Sequence, residues 1–202
     1  MSHFTQILDL PILDLHKELD QLIAEDKIWY NRHNQICINT LPDQPDSFFA
    51  GAGSIWYDWE KAVEIIKDDG SIDYQVPERK VIPKETDFSI LCNKFKNTAF
   101  EEVYLALKNK FKENLGRIRI MRMRPKTCLS WHQDSSYRIH YPMKTDEGCM
   151  MIIDNEVKHM PQYTWWHTNT VPYHTALNGS SSDRIHLVCA VHDPTLIFDE
   201  PK

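Results

Sequence analysis

The hydrophobic period of this chain changes at Gly116, and that change limits the fold more than any other feature. Before it, apolar residues recur at helical spacing; after it, they alternate or run in short segments, as in strands. Within residues 11–28, Leu15, Leu19, Leu22 and Ile23 form one stripe, with Asp14, Lys17, Glu18, Asp20 and Gln21 between them. A second, short helix is predicted from near Asp58 to Gly70, burying Ala62, Val63 and Ile66. A third has a capping box at Thr98-x-x-Glu101 and a stripe of Phe100, Val103, Tyr104, Leu107 and Phe111, with Gly116 at the expected C-cap. The Pro-, Lys- and Glu-rich stretch from Pro77 to Thr86 reads as an exposed loop.

Beyond Gly116, Arg117 and Arg119 alternate with Ile118 and Ile120, then Arg122 and Arg124 with Met121 and Met123. The phase slips at Ile120-Met121. A regular strand would put Arg117 and Arg119 on one face and Arg122 and Arg124 on the other; a bulge would gather all four on one side. Met150 to Ile153 and Glu156 to His159 flank Asp154-Asn155, a tight hairpin turn. Strands are also expected at Tyr163 to His167 and from Arg184 to Val191. About eight short strands behind a helical N-terminal region imply a mainly β fold, a small antiparallel barrel or sandwich. We expect one domain over residues 1–202, with 1–115 as a helical and loop support and 116–202 as the core.

Two imidazoles and a carboxylate stand out in the strand-rich part. His132 and Asp134, in Trp131-His132-Gln133-Asp134, are two apart and project from one face of a strand. His174 follows forty residues later, in Val171-Pro172-Tyr173-His174-Thr175-Ala176, a candidate neighbouring strand. Ten histidines and seventeen aspartates would yield about 0.8 His-x-Asp triplets by chance, so the triplet alone means little. Its order and spacing with His174 and Arg184 carry the case. Three such ligands on one side of an octahedral ion leave three positions open, the pattern of non-haem iron(II). Two can take the 1-carboxylate and 2-oxo group of 2-oxoglutarate, and the third dioxygen. The remaining carboxylate of that cosubstrate would be buried and must be paired, which a planar arginine fork does best. Arg184 follows His174 by ten positions, across Asn178-Gly179-Ser180-Ser181-Ser182, enough chain to reach a facing sheet about 10 Å away.

The run Arg124-Pro125-Lys126-Thr127-Cys128-Leu129-Ser130-Trp131-His132-Gln133-Asp134, with Arg138-Ile139-His140-Tyr141-Pro142 and Asp183-Arg184-Ile185-His186-Leu187-Val188, resembles the aspartyl/asparaginyl β-hydroxylase family. The phage-encoded and bacterial branches are most similar, including relatives that hydroxylate proline. The resemblance covers about residues 116–192. It implies a double-stranded β-helix (a jelly-roll, cupin-like core), iron(II) and 2-oxoglutarate. It also implies His132, Asp134 and His174 as metal ligands and Arg184 as the cosubstrate clamp. Arg138 and His140 match the family's Arg-x-His element and would sit near the 2-oxoglutarate 1-carboxylate, though here they follow His132 more closely than in the animal enzymes. The implied target is an Asp, Asn or Pro side chain, in a polypeptide or a free amino acid.

Composition narrows the remaining classes. A net charge of −6 weighs against nucleic acid, whose phosphates need clustered Lys and Arg. Five scattered cysteines without a Cys-x-x-Cys pair give no zinc ribbon or redox motif and suit a reducing compartment. No signal sequence or membrane-length apolar run is visible, so a soluble, cytoplasmic protein is expected. A redox-silent cupin-like isomerase or hydrolase, or a non-enzymatic binding barrel, would share the fold. Arg122 and Arg124 read more simply as a solvated face or guarded edge than as substrate contacts. Trp165 and Trp166 point in opposite directions on a strand, one exposed and the other buried, where core packing is a simpler role than bordering the substrate. Trp56, Tyr57 and Trp59, after Gly51-Ala52-Gly53-Ser54, are either a lid or a turn docking a helix. Asn178 before Gly179 reads as turn chemistry.

Overall fold

In the computed structural model, residues 2–192 are described. In chain order they form β1 (Phe4–Ile7), α1 (Leu15–Ala24), β2 (Gln35–Cys37), β3 (Asn39–Thr40), β4 (Val63–Ile66), β5 (Ile72–Gln75), β6 (Ile90–Leu91) and α2 (Ala99–Phe111). There follow β7 (Leu115–Met123), β8 (Thr127–Cys128), β9 (Tyr137–Lys144), β10 (Cys149–Ile153), β11 (Glu156–Lys158), β12 (Trp165–Thr168), β13 (His174–Asn178) and β14 (Arg184–Val191). Two antiparallel sheets dominate, one of six strands in the order β1-β12-β9-β14-β7-β2 and one of four in the order β11-β10-β13-β8.

From β7 onward the chain passes back and forth between these sheets. Strands β7, β9, β12 and β14 lie in the larger, and β8, the β10–β11 hairpin and β13 in the smaller. This alternation is the winding of a double-stranded β-helix, so the jelly-roll expectation holds. The Asn178–Ser182 connection does carry the chain from the small sheet to the large one.

The larger sheet has two unlike faces because the residues of its central strands alternate in character. Ile118, Ile120, Ile139, Tyr141, Trp165, Ile185, Leu187 and Cys189 turn outward into the main core. There they meet Leu15, Leu19 and Leu22 of α1 and Phe100, Val103, Leu107 and Phe111 of α2. Arg117, Arg119, Arg138, His140, Arg184 and Val188 occupy the alternate positions and line the space between the sheets. The register of β7 against β14 is regular from Ile118 to Met123, so there is no bulge at Ile120-Met121. Arg117 and Arg119 therefore face inward, while Arg122 bonds Asn34 Oδ1 at 2.7 Å and Arg124 is exposed. Leu107 is fully buried at the helix–sheet contact. Leu107→Ala is expected to cost about 2–5 kcal/mol, measurable as a lower denaturant midpoint.

Both long helices begin as their sequences direct. Asp14 accepts a hydrogen bond from the Lys17 N–H, and Thr98 Oγ1 from the Phe100 N–H. Glu101 reaches back to the Asn97 N–H at 2.7 Å. Helix α2 ends earlier than expected, at Lys112, whose φ is +49°. Gly116 is no C-cap; it lies in β7, where an added Cβ would sit 3.0 Å from both Ala190 Cβ and Glu85 Cβ. Its glycine answers a close approach of chains.

The helix expected from Asp58 to Gly70 is absent. A single 3-10 turn over Trp59–Lys61 leads instead into the β4–β5 hairpin. Val63 and Ile66 are exposed there, so the apolar residues read as a buried stripe have no core to face, and β-branched Val63, Ile65 and Ile66 pair as a strand. The expectation that one tryptophan of the Trp165-Trp166 pair is exposed also fails, because both are buried. Trp165 packs on Tyr141 in the main core, and Trp166 joins Phe4, Met151, Ile153 and Met160 between the sheets. Among the described residues, no helix is long and apolar enough to cross a membrane.

Candidate metal centre and its cavity

His132 and Asp134 are not in a regular strand. They lie in an extended segment held against β13 by a single bridge, His132 N–H to His174 O at 3.1 Å and His174 N–H to His132 O at 2.8 Å. The Asp134 N–H donates to Thr170 O at 3.0 Å. These backbone bonds bring the three side chains together: one ligand atom from each of His132, Asp134 and His174 lies within 4.8 Å of the others.

The imidazoles are oriented from behind. His132 Nδ1 is 2.7 Å from Ser130 O, and His174 Nδ1 is 3.0 Å from Pro172 O. A carbonyl only accepts, so each Nδ1 donates to it, and each Nε2 is the nitrogen turned toward the site, where it can give its lone pair to a metal. Asp134 Oδ1 accepts from Arg138 Nη2 at 3.0 Å, and Oδ2 lies 3.5 Å from His174 Nε2. Burial tends to raise this carboxyl, but the His174 contact and the Arg138 charge outweigh it and bring it down to about 2. Two imidazole nitrogens and a carboxylate, open on one side, suit a divalent transition metal.

All three residues line a cavity of about 430 Å³ between the sheets. Gly53 and Ser54 form part of its wall. Their loop is fixed by Arg117 Nη1, which donates to Gly51 O at 2.6 Å and Gly53 O at 2.9 Å. The aromatic residues after it are docked differently: Trp59 packs edge-on to His33 with ring centres 4.0 Å apart, while Trp56 is exposed.

A family model for aspartyl/asparaginyl β-hydroxylase matches residues 83–194, which include the whole triad and every strand from β7 to β14. The chain belongs to the aspartyl/asparaginyl β-hydroxylase family. It is accordingly a hydroxylase. Among solved structures, this hydroxylase is similar to a 2OG-Fe(II) oxygenase family oxidoreductase from Burkholderia pseudomallei. The two are 12% identical, with 93% of this chain and 83% of the other covered and a TM-score of 0.48. It is also similar to AviO1 from Streptomyces viridochromogenes (13% identical, 98% and 91% covered, TM-score 0.42). A cupin domain from Bordetella pertussis covers 38% of this chain and 81% of its own, at 14% identity and a TM-score of 0.34. No curated protein sequence matches it.

The other residues singled out in the hydroxylase's sequence reach the same cavity. Arg184 is buried on β14, its Nη1 3.4 Å from Met123 Sδ and its Nη2 without a partner. Burial brings this guanidinium down to about 10. Arg138, on β9, also donates to the Ser136 carbonyl and hydroxyl, so it acts here as the support of Asp134. His140 lies two residues further along the same face, with neither ring nitrogen bonded. Burial, then the charges of Arg184 and Arg138, hold it well below the usual imidazole range, so it is neutral.

Sequence reasoning gave no role to Arg117, Arg119, Gln35, His33 or Glu85. The first four line the cavity, and Glu85 clasps Arg117 through bonds of 2.7 Å to Nε and to Nη2. The alternation of arginine with isoleucine over residues 117–120 was the available signal for Arg117 and Arg119. Nothing in the Pro77–Thr86 stretch distinguished Glu85.

Proposed function

We propose that the chain is an iron(II)- and 2-oxoglutarate-dependent dioxygenase that hydroxylates an unactivated C–H bond of an Asp, Asn or Pro side chain, in a polypeptide or a free amino acid. The observation that carries this is one cavity holding both an open His132–Asp134–His174 donor set and a buried, anion-free arginine, Arg184. A buried cation without a counterion is costly, and the distal carboxylate of 2-oxoglutarate is the partner that this reading supplies. With iron(II) and dioxygen, that cosubstrate provides the oxidising power for hydroxylation and leaves as succinate and carbon dioxide.

The chain's own contribution is positioning. Ser130 O and Pro172 O fix the tautomers of the two histidines, and Arg138 holds Asp134 ionised and oriented. Neutral His140 offers one donor and one acceptor to whatever oxygen atoms enter beside it. Arg138, His140, His174 and Arg184 are buried in the cavity wall, which strengthens their polar contacts.

The test is Arg184→Ala. Truncating one side of a buried charged pair costs about 2–5 kcal/mol, so the 2-oxoglutarate Kd should rise at least ~30-fold. Iron(II) affinity should stay unchanged. Loss of metal binding with the cosubstrate Kd preserved would make the assignment of Arg184 wrong.

A further inference from the structure

Five arginines line the cavity, Arg117, Arg119, Arg122, Arg138 and Arg184. Arg184 is the proposed partner of the cosubstrate, and Arg122 bonds Asn34 Oδ1 and lies 4.0 Å from Asp183, which leaves three arginines for two carboxylates. Arg117, Arg119 and Arg138 share the inner face of the large sheet, the first two two residues apart on β7 and Arg138 on β9, with β14 between the two strands. The carboxylates beside them are Glu85 and Asp134. Glu85 is engaged by Arg117 through both oxygens, and Asp134 by Arg138. Arg119 is left over. It is buried, and among the described residues its Nε bonds nothing and its one hydrogen bond is from Nη1 to Gln35 Oε1 at 3.3 Å. Gln35 is itself held by the Gly53 N–H at 3.0 Å, so that contact belongs to the cavity wall.

Arg184 does not compete for the same ligand group. Val188 is the residue opposite Arg119 and Met123 the one opposite Arg184. The two arginines are thus four residues apart along neighbouring strands, about 13 Å at strand rise. One small diacid chelated at the metal through one end meets one of them with its other end.

We infer that Arg119 is the anchor for a carboxylate of the substrate undergoing hydroxylation, making this a hydroxylase of carboxylate-bearing substrates. This rests on the proposed function, because Arg184 must be occupied by 2-oxoglutarate for Arg119 to remain free. The planar fork, with Nε and Nη2 along one edge, suits two parallel bonds to a carboxylate. Burial brings this guanidinium down to about 9, so it is still charged at neutral pH and awaits an anion. A carboxylate of this kind has two sources, the α-carboxylate of a free amino acid or the side chain of an aspartate within a peptide.

Calorimetric titration under nitrogen, on protein loaded with iron(II) and saturated with 2-oxoglutarate, separates these. The probes are L-aspartate and L-proline against their α-amides, and N-acetyl-aspartate α-amide against N-acetyl-asparagine α-amide. At least one acid should bind ~30-fold or more tighter than its amide. An amino-acid pair showing this names the α-carboxylate, and the acetylated pair names the side chain. Arg119→Gln should erase the difference while the 2-oxoglutarate Kd stays within about twofold, and Arg119→Lys should restore part of it. Because Arg119→Gln removes a buried charge that no carboxylate bonds directly, its Tm should not fall below that of the unliganded wild type, and the same ligand that binds should raise only the wild-type Tm. No preference for acid over amide, or one that survives Arg119→Gln, overturns the inference alone. A wild type that binds iron(II) but not 2-oxoglutarate overturns the proposed function as well.

Discussion

Replacing Glu85 with glutamine is expected to destabilise the fold by about 3–5 kcal/mol, the usual cost of removing one partner from a buried ion pair. Glu85 holds both Nε and Nη2 of Arg117, and both side chains are under a tenth exposed. Without it, three clustered arginines would share the single carboxylate of Asp134. The effect has a pH signature. Burial pushes the Glu85 carboxyl up, but the Arg117 hydrogen bonds and charge more than reverse this, to about 2. Its folded value lies below its unfolded one of about 4.5, so its stabilisation is present above pH 4.5 and is lost as pH falls from there toward 2. The wild type should lose about 3 kcal/mol across that window from this group. Glu85→Gln should lack that component and unfold roughly 10 °C lower at neutral pH. A variant with unchanged Tm at neutral pH would mean that the pair is only incidental to stability.

His174→Ala is expected to abolish specific metal binding and, with it, turnover. Disturbing a residue behind a ligand typically costs 10–100-fold in affinity, and loss of the ligand itself should exceed this. The substitution leaves the backbone bridge to His132 intact, since both of its bonds are N–H to C=O. The fold should therefore survive, and circular dichroism should show the wild-type strand content. Titration of iron(II) followed by dialysis would then report ligation apart from folding. Retention of stoichiometric iron would remove His174 from the metal site. A conservative control is Arg138→Lys, which keeps a charge near Asp134 but loses the fork that also bonds Ser136.

How much of this was legible in the sequence depends on whether the signal was local. The stripes of Leu15, Leu19, Leu22 and of Phe100, Val103, Tyr104, Leu107, Phe111 marked α1 and α2 correctly because each helix buries one continuous face on a single sheet. The Asp154 turn and the strand from Arg184 to Val191 were equally plain. Residues 58–70 misled because apolar spacing over so short a span fits a helix or a hairpin, and only the absence of an opposing core decides. Short strands β1 and β2 went unseen for a related reason. They complete the edges of the large sheet, so their role is set by pairing with residues more than eighty positions away.

The candidate site divides in the same way. His132 and Asp134 could be named because two ligands two residues apart leave a mark in sequence, and His174 and Arg184 because their order and spacing are distinctive. Arg119 could not, since its meaning comes from what it lacks. Its strand neighbours are visible in sequence, but that Glu85 is committed to Arg117 and Asp134 to Arg138 is a fact of three dimensions.

The central claim is that the His132–Asp134–His174 cavity couples 2-oxoglutarate to dioxygen. Its most direct test is succinate formation by protein loaded anaerobically with iron(II), then given 2-oxoglutarate and oxygen, beside a His132→Ala control. Slow uncoupled turnover needs no knowledge of the substrate. The account predicts succinate from the wild type and none above background from His132→Ala. An absence of succinate, together with a failure of iron(II) and 2-oxoglutarate to bind the wild type together, would contradict it.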